Sequence, residues 1–113
     1  MDLQYSELDS GVRIIKLTGS LDIVGTSQIE TRFAGHCSGD NVRVIVDVSG
    51  VEFLASIGIR LLLMNAKSVA RRGGRMLLLA PTPDVETVLE LTGILPIIPA
   101  FKTAEAAEAD LLA

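Results

Sequence analysis

The side chains with obvious chemistry are few, and they lie apart in the sequence. His36 is the only histidine and Cys37 the only cysteine of the 113 residues, whereas a catalytic nucleophile needs a base beside it and a metal ion needs several ligands. Asp22 and Asp47 could form a carboxylate pair for acid–base catalysis, but they are as readily explained as a helix cap and an acid at a strand end. We therefore predict a protein that is not an enzyme, with no metal site and no cofactor.

One segment remains as a candidate functional site, because it joins an apolar strand to an amphipathic helix. Its sequence is SGVEFLASIGIR, residues 49–60, and Ser56 stands at the predicted start of the helix. The hydroxyl there can cap the helix by accepting a hydrogen bond from the second or third helical N–H group. The same position suits a phosphate, which would bind those N–H groups at the positive end of the helix dipole. Both interpretations, a structural cap and a phosphoacceptor, stay open on the pattern alone.

The composition argues against a nucleic-acid or membrane role. The net charge is −4, which opposes non-specific attraction to DNA or RNA. No apolar run approaches the roughly 18 residues that a membrane helix needs, and the opening MDLQ lacks the basic and apolar regions of a secretory signal. We expect one domain over residues 1–113 in the cytoplasm, without nucleic acid as a partner and without direct insertion into a membrane.

Hydrophobic periodicity divides the chain into short strands and amphipathic helices. Two runs joined by Asp9-Ser10-Gly11 predict an antiparallel strand pair. Buried apolar strands then alternate with helices. The predicted strands are 3–8, 12–17, 42–48 and 76–80, a short apolar pair stands at 97–98 between two prolines, and the predicted helices are 25–36, 57–72, 83–92 and 103–112.

This alternation predicts an α/β fold. We expect a mixed, mostly parallel sheet of about four to five strands that opens with an antiparallel strand pair and has helices packed on it. Partners of such sheets tend to meet the loops at the carboxyl ends of the parallel strands, so residues 19–25 and 49–58 are the expected functional edge. On the second helix, Ile57, Leu61 and Met64 recur at helical spacing and are expected to form its apolar stripe, with Arg60, Lys67 and Arg71 toward solvent.

The segment around Ser56 also resembles a known family. Residues 46–59, VDVSGVEFLASIGI, resemble the strand, exit and serine-bearing turn of the STAS domain, the module shared by sulphate transporters and anti-sigma factor antagonists. Supporting matches lie at residues 19–22, 72–74, 88–93 and 103–107. The chain departs from the family pattern at Ala55 and Ser20, where acidic residues are common, and at Ile57, where Ser or Thr is common.

The resemblance implies a STAS fold over nearly the whole chain and an anti-sigma factor antagonist that acts by partner switching. The unmodified protein would bind an anti-sigma factor that is also a serine kinase of the histidine-kinase-like ATPase type. That kinase would phosphorylate Ser56, the added charge of about −1.5 to −2 would obstruct the docked partner, and a serine phosphatase would reverse the change. The residues implied in partner binding are Asp22, Leu54, Ala55, Ser56, Ile57, Gly58, Ile59 and Arg60.

Two further interpretations follow from the same segment. The chain could instead be a STAS subunit that binds constitutively, within a transporter or another regulatory assembly, with Ser56 serving only as a helix cap. The apolar docking surface could also support weak self-association.

Overall fold

The computed structural model describes all 113 residues and contains one five-stranded sheet and four helices. The elements along the chain are β1 (Asp2–Glu7), β2 (Arg13–Leu21), α1 (Ile23–His36), β3 (Arg43–Leu54), α2 (Ser56–Arg71), β4 (Arg75–Leu79), α3 (Pro83–Leu91), β5 (Ala100–Phe101) and α4 (Ala104–Leu112). The strand order in the sheet is β1-β2-β3-β4-β5, with β1 antiparallel to β2 and each later neighbour parallel. The predicted fold class is confirmed.

Helices cover both faces of the sheet, but they cover them unequally. On one face, α1, α2 and α3 pack over strand residues such as Val44 and Val46. On the other face, Ala107 and Leu111 of α4 cover Ile45 and its neighbours. Alternate residues of β3 therefore face different helical layers, which explains why residues 44–46 in its first half are apolar without a break.

The ends of the later helices follow the local signals in the sequence. Thr82 is the N-cap of α3, its hydroxyl accepts a hydrogen bond from Val85 N at 3.3 Å, and Pro83 is the first helical residue. Gly73 follows α2 with a φ of +80°, a conformation that glycine adopts without the steric cost of a side chain. These helix boundaries agree with the predictions.

Two strands run further than the sequence pattern indicates. β2 ends at Leu21 and β3 at Leu54, because the two strands stay paired from Thr18 opposite Gly50 to Leu21 opposite Leu54, with register shifts on the way. Gly50 lies close to β2 there, since a Cβ on it would be 3.0 Å from the Thr18 hydroxyl. The loops predicted at 19–25 and 49–58 are correspondingly short.

The apolar stripe predicted for α2 is wrong at two of its three positions. Leu61 is buried, but Ile57 is exposed and Met64 is 59% exposed. The buried face of α2 instead consists of Gly58, Leu61, Leu62, Ala66 and Val69. Small residues let the helix lie close to the sheet, and this leaves two large apolar side chains on its outer surface.

The segment between the two prolines does not itself pair with the sheet. Ile97 is exposed, Ile98 is buried in the core, and the edge strand β5 follows at Ala100–Phe101. None of the helices has the length and apolar content needed to cross a membrane.

Candidate functional site

The ends of β2 and β3 bring the starts of α1 and α2 together at one edge of the sheet. Leu21 pairs with Leu54 in the parallel ladder, and the N–H of Ala55 then donates to the carbonyl of Leu21 at 3.0 Å. Gly58, in the first turn of α2, lies so close that a Cβ there would be 2.7 Å from Leu21 Cβ. The contact fixes the turn that carries Ser56 against the end of β2.

At the start of α1, Asp22 acts as the N-cap. Its Oδ1 accepts a hydrogen bond from Gly25 N at 2.7 Å, and the carboxylate is half-buried. This bond begins the helix at Ile23, two residues before the predicted start. Asp22 therefore lies at the predicted functional edge, where its carboxylate already has a backbone partner.

At the start of α2, Ser56 is the first helical residue and not the cap. The N-cap is Ala55, which makes no side-chain hydrogen bond, and the Ser56 hydroxyl has no hydrogen-bond partner in the chain. The prediction that Ser56 caps the helix is therefore wrong. Its side chain is exposed, and no side chain of the cap residue accepts from the first N–H groups of the helix.

Two features of α2 favour an anion at Ser56. The first turn of α2 has no acidic residue, so nothing there offsets the positive end of the helix dipole. Arg60 lies four residues further along the helix, on the same side. It is exposed and makes no ion pair within the chain. A phosphate ester on Ser56 would have both the helix N–H groups and this guanidinium within the same turn.

Exposed apolar side chains lie close to this serine along the chain or across the Leu21–Leu54 pair. They are Ile23, Val24, Phe53 and Ile57, and we call them the apical patch. Each lies within three residues of the Leu21–Leu54 pair along the chain. Phe53 and Ile23, which are 56% and 72% exposed, give the edge the apolar character of an interaction surface.

The sequence prediction included only Ile57 of this patch. Phe53 could have been identified from strand alternation, because its neighbour Leu54 points into the core and adjacent strand residues point to opposite faces. Ile23 and Val24 precede Gly25 in the first turn of α1. There the apolar pattern alone does not show whether a side chain points into the core or toward solvent.

The remaining predicted partner-binding residues divide by exposure. Arg60 is exposed, and Ala55 and Ile59 are half-buried. Leu54 and Gly58 are buried, so they cannot offer a side chain to a partner. Their part in the site is to hold the turn in place.

Neither of the two other reactive side chains belongs to this site. Cys37 follows α1 at its far end, and burial raises the pKa of its thiol to about 11, although Arg13 and Arg72 act in the opposite direction. A thiol with such a pKa stays protonated and is a poor nucleophile near neutral pH. His36 stacks on the ring of Tyr5 at a centroid distance of 4.1 Å.

Comparison with known proteins agrees with this arrangement. The sequence profile of the STAS domain matches residues 6–107. The chain belongs to the STAS domain family. It is 30% identical over 109 residues to BtrV of Bordetella bronchiseptica, a candidate anti-sigma factor antagonist, covering 96% of this chain and 93% of that one. It is also 30% identical over 97 residues to the anti-sigma F factor antagonist of Lysinibacillus sphaericus, covering 85% of this chain and 83% of the relative.

Solved structures show the same fold. An anti-sigma factor antagonist (STAS) domain protein from Planctomyces limnophilus superposes with a TM-score of 0.87 at 24% identity, over 100% of both chains. SpoIIAA of Bacillus in its phosphorylated form has a TM-score of 0.70 at 22% identity, over 96% of this chain and 99% of that one. The predicted family is confirmed, and its members are binding proteins, in agreement with the prediction that this chain is not an enzyme.

Proposed function

We propose that this STAS protein is an anti-sigma factor antagonist that works by partner switching through Ser56. In its unmodified form it binds an anti-sigma factor serine kinase, of the histidine-kinase-like ATPase type, by the apical patch. The kinase transfers phosphate to Ser56 and is released, and a serine phosphatase restores the first state. The observation that carries the proposal is the exposed Ser56 hydroxyl, which has no partner in the chain and is followed by the exposed apolar residue Ile57.

The physical basis of the switch is charge placed in an apolar interface. A phosphate adds about −1.5 to −2 charge units at neutral pH. On the free protein this charge is well solvated and is stabilised by the α2 N-terminus and by Arg60. In the complex it would have to lose water against the side chains that dock on Ile57 and Phe53, which is costly. The modification therefore weakens the complex without destabilising the free protein.

The similarity to known proteins supports the same proposed function. Relatives that match most of the chain are named as anti-sigma factor antagonists, and a protein of this fold has been solved in a phosphorylated form. In the constitutive alternative, Ser56 serves only as a helix cap. That role has no support in the hydrogen bonding, since the cap is Ala55.

Mass spectrometry after incubation with the cognate kinase and ATP tests the proposal. We expect one phosphate on the wild-type chain and none on Ser56→Ala. Ser27→Ala is a matched control, because Ser27 is also exposed near a helix start, on the neighbouring α1, and it should be phosphorylated like the wild type. Phosphate on another residue, or no phosphate with a kinase active on itself or another substrate, would contradict the proposal.

A further inference from the structure

An open groove follows the seam between α1 and α2. It consists of two adjoining hollows of about 310 and 530 Å³, which share the lining residues Glu30, Leu61, Met64 and Asn65. Thr26 lies at one end of the groove and Arg71 at the other. Because a helix rises about 1.5 Å per residue, the α2 wall from Ile57 to Arg71 is about 21 Å long. A groove of this length suits an elongated occupant such as a helix.

The lining of the groove indicates what that occupant should offer. Met64 presents a flexible apolar side chain that is 59% exposed, and Arg60 and Arg71 place two cations along the α2 wall. Neither arginine has an ion-pair partner within the chain. The groove therefore suits an apolar side chain flanked by carboxylates that can pair with the two arginines.

The outer surface of α3 has this character. Leu91 is 83% exposed, more than any other large apolar side chain in the chain. Asp84, Glu86 and Glu90 are exposed on the same short helix, which has no basic residue. Leu91 does not belong to the apical patch, and the proposed function gives it no role.

We propose that the occupant of the groove is α3 of a second copy of this chain. Leu91 packs against Met64, and the acidic residues of α3 face Arg60 and Arg71. The charges are complementary although the whole chain has a net charge of −4, because the groove lining carries Arg60 and Arg71 against one acid, Glu30, whereas α3 carries three acids and no base. The inference goes beyond the proposed function and does not rest on it.

The arrangement of the helices allows this contact to close at two copies. Since α1, α2 and α3 form one layer on the same face of the sheet, a two-fold axis parallel to that layer's helices turns the two layers toward each other. In the proposed dimer each copy's α3 lies over the other copy's groove, so the contact is made twice. This arrangement gives a closed symmetric dimer and does not extend into a filament.

Sedimentation equilibrium of the purified full chain tests the dimer. We expect a monomer–dimer equilibrium over concentrations from about 10 µM to 1 mM, the range of weak association. Leu91→Ser should weaken the dimer at least tenfold, as should Met64→Ser and Arg71→Glu. All three side chains are exposed, so circular dichroism should show an unchanged fold. Leu112→Ser is the control, because Leu112 is an exposed apolar residue of α4, in the other layer, and it should leave the dimer intact.

Mixing two variants distinguishes this contact from other modes of self-association. Leu91→Ser keeps the groove and Met64→Ser keeps α3, so a mixture can form a heterodimer with one intact contact. We expect the mixture to associate more than either variant alone. The proposal would be overturned by a monomer at all concentrations, by a dimer that Leu91→Ser leaves intact, by a mixture that recovers nothing, or by mass that grows beyond two copies.

Discussion

The N–H of Ala55 donates to the carbonyl of Leu21 at 3.0 Å, and the residues that follow these two are Ser56 and Asp22. One backbone hydrogen bond thus joins the two turns of the candidate site. The cap of α1 and the exposed serine of α2 are therefore held in a fixed relation by the sheet. Any change that moves α2 away from Leu21 should disturb the site as well as the fold.

The close approach of α2 to β2 makes Gly58 intolerant of a side chain. In Gly58→Ala the new Cβ would lie 2.7 Å from Leu21 Cβ and 2.8 Å from Leu21 O. Relief requires a backbone shift, so we expect urea unfolding to show a loss of about 1–3 kcal/mol. Gly35→Ala is the matched control in α1, because nothing lies within 4 Å of its Cβ position. It should gain about 0.5–1 kcal/mol; equal effects at both glycines would contradict this account.

A negative charge on Ser56 should oppose docking of the kinase. In Ser56→Asp a single charge replaces about half of the phosphate charge, and we expect affinity for the cognate kinase to fall at least about tenfold, or 1.4 kcal/mol. Calorimetric titration measures this directly, and thermal unfolding should be little changed because the side chain is exposed. Ser27→Asp provides the comparison. A kinase that binds Ser56→Asp like the wild type would show that the charge lies outside the interface.

The apical patch should contribute apolar contacts to the same complex. We expect Phe53→Ser and Ile23→Ser each to weaken kinase binding by about 1–2 kcal/mol. Their side chains are 56% and 72% exposed, so the free energy of unfolding should change far less than for a buried residue. Leu112→Ser, on the opposite layer, should bind normally. If neither patch variant alters affinity, the partner docks elsewhere.

Burial of Cys37 should make stability fall at alkaline pH. The folded protein raises the thiol pKa from 9.0 to about 11, so folding favours the protonated form. The contribution of the protonated thiol to the free energy of unfolding is fully present below pH 9. It is lost as the pH rises from about 9 to 11. Urea unfolding across this window should show the decline, and Cys37→Ala should reduce it while lowering stability at neutral pH through the lost packing. A native thiol that reacts with Ellman's reagent at pH 8 as fast as the unfolded chain would refute the assignment.

The order and type of the main elements could be predicted from the sequence, but the exits of β2 and β3 could not. Gly19, Ser49 and Gly50 have the composition of turns, and pairing between the two strands overrides that preference. The predicted stripe on α2 failed for a related reason. Gly58 and Ala66 bring the helix close to the sheet, and such small residues add little to a hydrophobic pattern.

The location of the candidate site could be predicted because the serine turn has a recognisable sequence. Its surroundings depend on tertiary structure. Ile23 and Val24 become neighbours of the turn only when Leu21 pairs with Leu54. The groove between α1 and α2 arises from the packing of two helices and leaves no mark in either helix alone.

The contact of Gly58 with Leu21 has a consequence for the rate of the proposed switch. Because this contact fixes the turn to a strand, we expect the two proposed forms of the protein to share one backbone conformation and to differ by the phosphate ester alone. No refolding step would delay the response in either direction. The rate of the whole cycle would then be set by the enzymes that add and remove the phosphate.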